Sequence, residues 1–92
     1  MLFLARMDVT FPTHLTEAQI AEFQVREKEY SGSLQRSGKM AGIWRIVGEY
    51  ANHSLFEVES NDELHQLLGG FPMYPYMKIK VTPLAKHPNS IR

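Results

Sequence analysis

One carboxylate lies where a helix would bury apolar side chains. On a helical wheel, Glu27 falls in the middle of an apolar stripe that consists of Ile20, Phe23, Tyr30 and Leu34. A carboxylate in such surroundings must be paired, hydrated or protonated, because desolvation disfavours its charged form. Enzymes use the same effect to bring the pKa of a general base toward neutral pH. Glu27 is therefore a catalytic candidate, and the alternative is a structural Glu paired with an Arg or Lys.

Three polar residues farther along the chain could assist a base that generates an anion. Arg45 lies on a predicted strand of mainly apolar residues. Its guanidinium needs an anionic partner, either Glu27, Glu57 or a substrate carboxylate, unless it forms an ordinary surface ion pair. Tyr50 and Asn52 could donate to an oxyanion, although an Asn in a hairpin turn more often bonds the backbone of the turn. These residue types suit proton transfer without a cofactor.

Composition excludes several other classes of site. The chain has 92 residues, no cysteine, and ten Lys plus Arg against ten Asp plus Glu. A neutral chain is a poor candidate for nucleic-acid binding, and the lack of cysteine excludes disulfides and thiolate chemistry. The four histidines have no metal-ligand spacing, so no metal is expected. The chain also has no phosphate-cradling glycine loop and no dinucleotide fingerprint, so no cofactor is expected. The apolar start from Met1 to Ala5 is too short for a signal peptide or membrane span, and a cytoplasmic protein is expected.

Hydrophobic periodicity predicts six elements in the order strand, helix, strand, strand, helix, strand. The hydrophobic pattern predicts strands over 1–9, 43–50, 54–59 and 77–82, with a tight hairpin turn at 51–53. Capping-box spacing predicts two helices, the first from Thr16 to about Arg36 and the second from Ser60 to about Gly69-Gly70. This order is typical of an α+β, ferredoxin-like βαββαβ sandwich, with two helices on one face of a four-stranded antiparallel sheet. We expect a single domain over residues 1–92.

The second face of that sheet also needs a cover. The apolar residues that cannot all lie under the helices are Leu2, Leu4, Trp44, Ile46, Leu55 and Tyr76. An exposed apolar face normally marks an interface. A chain this small also has too little interior to enclose a deep substrate cavity by itself. The polar tail over residues 84–92 is predicted to be either a frayed terminus or an arm packed on a neighbouring subunit.

Several segments, taken in order and spacing, resemble the muconolactone delta-isomerase family. They are Met1-Leu2-Phe3, Glu27-Lys28-Glu29, Leu34-Gln35-Arg36-Ser37-Gly38, Trp44-Arg45-Ile46, Gly48-Glu49-Tyr50-Ala51-Asn52-His53-Ser54, Glu63-Leu64-His65, Phe71-Pro72-Met73-Tyr74-Pro75-Tyr76-Met77 and His87-Pro88-Asn89-Ser90-Ile91. The similarity covers nearly the whole chain.

The resemblance implies a cofactor-free conversion of muconolactone to the enol-lactone of 3-oxoadipate, in the catechol branch of the β-ketoadipate pathway. It also implies a homodecamer with sites near subunit contacts. Glu27 would be the proton shuttle, and the candidates for orienting the substrate or stabilising charge are Lys28, Arg45, Tyr50 and Asn52. His87 and Ser90 match the family's terminal motif, and a swapped tail could bring them into a neighbour's site.

Three other functions stay open at this point. A sister enzyme could act on chloro- or methyl-substituted muconolactones, including by a dehalogenase reaction that expels chloride. A cofactor-independent monooxygenase of similar α+β fold would consume oxygen with an aromatic substrate. A non-catalytic ligand-binding or oligomerisation module would use Glu27 only as a structural ion pair.

Overall fold

The computed structural model describes all 92 residues and contains one four-stranded sheet and two α-helices. The elements are β1 (Leu2–Val9), α1 (Glu17–Arg36), β2 (Met40–Arg45), β3 (Ala51–Glu57), α2 (Asn61–Gly69) and β4 (Met77–Leu84), with a short 3-10 helix (Tyr74–Tyr76) before β4. The strand order is β2-β3-β1-β4, and every neighbouring pair is antiparallel. The predicted α+β, ferredoxin-like fold is confirmed. Neither helix has the length and apolar character needed to cross a membrane.

The alternation along β1 determines which face of the sheet the helices cover. Phe3, Ala5 and Met7 are buried, whereas the residues between them are partly exposed. The buried side chains belong to one core cluster with Leu34 of α1 and Leu68 of α2. Both helices therefore pack on the face that the odd-numbered residues of β1 present, as a half-buried strand requires.

The two predicted capping boxes differ in how completely they form. At the start of α1, the Gln19 backbone N–H donates to Thr16 Oγ1, and the Thr16 backbone N–H donates to Gln19 Oε1. At the start of α2, Ser60 Oγ accepts from the backbone N–H of Glu63, but the Glu63 carboxylate accepts from the backbone N–H of Glu59 instead of Ser60. The second box is thus only half formed, although the helix begins where its spacing predicts.

The predicted position of the hairpin turn is wrong. Strand β2 ends at Arg45 and β3 begins at Ala51, so the turn spans residues 46–50 instead of 51–53. Gly48 has φ of +85°, a conformation that favours glycine, and the Ile46 N–H donates to the Ala51 carbonyl to close the turn. Asn52 consequently lies within a strand, opposite Met7 on β1 and Arg45 on β2, which removes the turn-forming explanation for this Asn.

The sheet face that the helices leave uncovered carries apolar side chains, as predicted. The register puts Leu2 and Leu4 of β1 on this outer face together with Leu55 of β3, and Trp44 of β2 lies there opposite His53. Trp44 is 57% exposed, and Nδ1 of His53 is buried without a hydrogen-bond partner. His53 was predicted to lie in the hairpin turn, but it lies in β3 because the turn spans residues 46–50. Of the remaining predicted residues, Ile46 lies in the turn and Tyr76 in the 3-10 helix.

Candidate active site

A cleft of about 270 Å³ opens between α1 and the helix-covered face of the sheet. Six of its twelve lining residues are hydrophobic, Tyr50 among them, and the other six are Gln24, Glu27, Lys28, Ser31, Asn52 and Ser54. The volume is close to the lower end of the usual range for small-molecule sites, roughly 300 Å³. The cleft thus brings together four residues predicted from the sequence, which are Glu27, Lys28, Tyr50 and Asn52.

Glu27 is half-buried and has no cationic partner. Its Oε2 accepts a hydrogen bond from the backbone N–H of Met73, with an N···O distance of 3.1 Å. None of the four salt bridges in the chain includes Glu27, so the predicted alternative of a structural ion pair does not form within the chain. Burial raises the pKa of Glu27 above its ordinary value, while the Met73 hydrogen bond and the charge of Arg26 act in the opposite direction. The carboxylate is accordingly a stronger base than one in water.

The segment that carries Met73 is fixed by packing against α1 and α2. Phe71 and Met73 are buried, and the ring of Phe71 meets that of Tyr30 edge-on at 4.7 Å. The Tyr30 hydroxyl donates to the Leu67 carbonyl at 2.6 Å, which ties α1 to α2. These contacts hold the Met73 N–H in the direction of Glu27. A backbone donor has no signature in the sequence, so residue types alone could not identify it.

Tyr50 and Asn52 each form a hydrogen bond with a side chain that the sequence analysis did not identify. Gln24 Nε2 donates to the Tyr50 hydroxyl at 3.0 Å, and Ser54 Oγ donates to Asn52 Oδ1 at 2.8 Å. Gln24 lies one helical turn before Lys28, and Ser54 lies two residues after Asn52 on the same face of β3. With the correct register of β3, this spacing could have pointed to Ser54.

The two predicted cations lie around the same region. Lys28 lines the cleft with Glu27, although the two residues are separated by 100° on the helix. Arg45 lines an adjoining open groove of about 770 Å³, which shares Tyr50 and Asn52 with the cleft. No carboxylate lies within salt-bridge distance of Arg45.

The partners predicted for Arg45 within the chain are thus both wrong. Glu27 bonds to the Met73 backbone, and Glu57 lies 3.4 Å from the N-terminal ammonium of Met1. A substrate carboxylate is the predicted partner that is left.

The C-terminal residues 85–92 follow β4 as an exposed segment. His87 and Ser90 form a local turn, in which the Ser90 N–H donates to the His87 carbonyl at 2.9 Å. Neither residue lines the cleft of its own chain. Their predicted contact with substrate would require the tail of a neighbouring chain.

The remaining histidines do not assemble into a metal site. His65 is exposed on α2, and His53 lies on the outer face of the sheet. No group of three or more His, Asp or Glu side chains is placed to hold a metal ion. The groups that the cleft offers for chemistry are its carboxylate, its hydroxyl and amide donors, and the nearby cations.

A 5-chloro-2-hydroxyhydroquinone dehydrochlorinase from Burkholderia phenoliruptrix AC1100 has a similar fold. Its structure gives a TM-score of 0.71 with 19% identity, and the alignment covers 95% of this chain and 96% of that one. At this identity the likeness concerns the fold only.

Closer relatives all have one description. The family described as muconolactone delta-isomerase matches residues 1–90. The Muconolactone Delta-isomerase of Cupriavidus pinatubonensis is 58% identical over the full length of both chains, and that of Acinetobacter baylyi is 53% identical over all of this chain and 96% of its own. A crystal structure of muconolactone isomerase at 3.3 Å resolution gives a TM-score of 0.94 with 42% identity, over all of this chain and 96% of that one. The chain belongs to the muconolactone delta-isomerase family.

Proposed function

We propose that this chain isomerises muconolactone to the enol-lactone of 3-oxoadipate by a 1,3-proton shift, with Glu27 as the base and no metal or organic cofactor. Membership of the family supports the reaction. The observation that supports the role of Glu27 is its half-buried carboxylate, which lines the cleft without a cationic partner. This reaction requires a base in an apolar wall and donors for one oxyanion, and the cleft contains both kinds of group.

The first step removes the γ-proton of the butenolide ring. Met73 occupies Oε2 of Glu27, so Oε1 is the oxygen that is free to take the proton. The electron pair of the broken C–H bond enters the ring and forms a conjugated dienolate, whose charge gathers on the lactone carbonyl oxygen. In the second step Glu27 returns the proton to the α-carbon, which moves the double bond and restores the carboxylate. One base serves both steps if both carbons present the same ring face to it.

The dienolate and the acetate arm of the substrate need separate partners. Tyr50 and Asn52 are the proposed donors to the lactone oxygen, because both line the cleft opposite the helix that carries Glu27. Lys28 and Arg45 are the proposed partners of the acetate arm, since both are exposed and neither forms a salt bridge within the chain. This division keeps the base free of cations.

The proposal includes assembly of a single domain, residues 1–92, into a homodecamer in the cytoplasm. The apolar outer face and the openness of the cleft support association of subunits. Residues 84–92 would then pack on a neighbouring subunit and bring His87 and Ser90 to its cleft. Sedimentation analysis tests this assembly, and a monodisperse monomer with full activity would refute it.

The reaction is tested by an NMR time course of muconolactone in deuterium oxide with the wild type, Glu27→Gln and Glu29→Gln. We expect the wild type to form the enol-lactone, with deuterium at the α-carbon only to the extent that the proton on Glu27 exchanges with solvent before it is returned. Glu27→Gln should lower kcat by about 10²- to 10⁴-fold, the usual contribution of a general base. Glu29 is exposed on the same helix, so Glu29→Gln serves as the control and should retain wild-type turnover. Near-wild-type activity of Glu27→Gln would exclude Glu27 as the base, and a wild type that leaves muconolactone unchanged would refute the reaction.

A further inference from the structure

We infer that Gln24 and Ser54 are positioning residues that fix the direction of the hydrogen bonds made by Tyr50 and Asn52, so that both present a donor to the cleft. The inference rests on the proposed function, because it assigns those donors to the lactone oxygen of the dienolate. It follows from two side-chain hydrogen bonds and from what each partner is able to donate or accept.

The bond between Gln24 and Tyr50 leaves the hydroxyl proton of Tyr50 free. A tyrosine hydroxyl can donate one hydrogen bond and can also accept. Gln24 Nε2 carries only donors, so at 3.0 Å it occupies a lone pair of the Tyr50 oxygen and cannot take its proton. The Tyr50 O–H is then available to donate into the cleft, which Tyr50 lines.

The bond between Ser54 and Asn52 occupies the oxygen of the Asn52 amide and leaves its amino group unoccupied. Ser54 Oγ donates to Asn52 Oδ1 at 2.8 Å, so the amide oxygen is occupied and the Nδ2 group is left to donate. Ser54 is fully buried, and Asn52 is the only hydrogen-bond partner of its side chain. An alanine of nearly the same size would need no partner at such a position. A role in orienting Asn52 explains why a hydroxyl lies there.

The direction of both bonds matters because an anion requires donors and is repelled by acceptors. If the Asn52 amide were reversed, its Oδ1 would face the dienolate oxygen. If the Tyr50 proton were directed toward residue 24, the hydroxyl would present a lone pair to the cleft. Donors held in place before the reaction need no reorganisation when the charge develops, and removal of one such donor lowers kcat by about 10²- to 10³-fold.

The role of Gln24 is tested by reversing its hydrogen bond. In Gln24→Glu the side chain keeps its shape but can only accept, so it draws the Tyr50 proton away from the cleft. Gln24→Met has a similar size and makes no hydrogen bond, which leaves the Tyr50 proton free to rotate. We expect Gln24→Glu to lower kcat by about 100-fold and Gln24→Met by less than tenfold.

The negative charge that Gln24→Glu introduces also acts on Glu27, which lies one helical turn away. Measuring Gln24→Glu in both the wild-type and the Tyr50→Phe background separates this charge effect from the effect on the Tyr50 hydroxyl. If Gln24 acts through the hydroxyl, Gln24→Glu should change kcat by less than threefold once the hydroxyl is absent. An equal loss in the presence and absence of the hydroxyl would overturn the role of Gln24.

The role of Ser54 is tested by a double-mutant cycle with Asn52. We expect Ser54→Ala to lower kcat about tenfold with little change in KM, because Asn52 then presents either end of its amide. In the Asn52→Ala background the same substitution should have no further effect on kcat, whereas a purely structural role would lower activity in both backgrounds. Equal effects in the two backgrounds would overturn the role of Ser54.

Binding of tetronate separates this inference from the proposed function. Tetronate is a planar five-membered ring enolate, and its binding, measured by calorimetry, needs no turnover. We expect Ser54→Ala to weaken tetronate binding at least tenfold relative to the wild type, and Gln24→Glu to weaken it at least tenfold more in the presence of the Tyr50 hydroxyl than in the Tyr50→Phe background, where only the added charge acts. Equal affinity across these proteins would overturn the inference even if muconolactone is converted. If the affinities follow this pattern but the wild type does not convert muconolactone, the proposed function is refuted and the inference stands.

Discussion

Shortening Glu27 to Asp tests how closely the cleft positions its base. The carboxylate lies 3.1 Å from the Met73 backbone nitrogen, and removal of one methylene withdraws it by about 1.5 Å, the length of a C–C bond. The Met73 hydrogen bond is then beyond reach, and the same displacement separates the carboxylate from the ring carbons. A misplacement of about 1 Å lowers the rate of a well-oriented reaction about 100-fold. We therefore expect Glu27→Asp to lower kcat by at least about 100-fold, although the base keeps its charge and chemical type.

The assay is steady-state conversion of muconolactone, with kcat and KM determined separately. KM should change little, because the proposed contacts of the acetate arm do not include Glu27. Glu29→Asp is the matched control on the same helix, and we expect its kcat to lie within twofold of the wild type. If Glu27→Asp keeps kcat within threefold of the wild type, the position of the carboxylate does not determine the rate, and the reasoning from Met73 fails.

Three further variants test binding, packing and electrostatics. Arg45→Met should raise KM for muconolactone up to about fivefold with little change in kcat, since an exposed ion pair contributes at most about 1 kcal/mol. Steady-state kinetics measure both constants. Gly70→Ala should lower the free energy of unfolding in urea by about 1–3 kcal/mol, because the new Cβ would overlap the Tyr30 hydroxyl. Glu27→Gln should stabilise the fold in thermal unfolding at pH 7 but not near pH 4. The raised pKa of Glu27 means that wild-type stability is highest while this group is protonated and falls as pH rises through the folded-state pKa. An equal difference in melting temperature between Glu27→Gln and the wild type at both pH values would contradict this.

The sequence predicts the elements and the position of the candidate base because both follow from periodicity. Glu27 is detectable as a charged residue in a stripe of 3.6-residue period, and β1 as an alternation of period two. Both patterns are local, and burial in the fold agrees with them. Periodicity did not predict that Lys28 lines the cleft, because it lies 100° from Glu27 on the helix; that candidate came from the family resemblance.

The hairpin shows where local pattern fails. Ile46 and Val47 extend an apolar run that is typical of a strand, but Gly48 adopts a positive φ that a turn requires. The turn therefore begins five residues earlier than predicted, and Asn52 becomes a strand residue beside Arg45 and Met7. An Asn favours turns in general, so its residue type argued for the wrong position.

The contacts that orient the site depend on long-range register. Gln24 and Tyr50 are 26 positions apart, and Met73 and Glu27 are 46 apart. No periodicity within one element predicts such pairs, because they arise only when α1 packs over the sheet. The backbone donor of Met73 is independent of residue type, which leaves no signal in the sequence at all.

The absence of a salt bridge at Glu27 connects the fold to the proposed chemistry. A cation bonded to the carboxylate would lower its pKa and occupy the oxygen that must take the proton. Met73 instead supplies one neutral donor to Oε2, while burial keeps the group basic. Lys28 and Arg45 are exposed at the edges of the cleft and groove, where they can meet a substrate carboxylate without pairing with the base. Because the chain has no net charge, the proposed attraction for an anionic lactone is local and comes from these two cations.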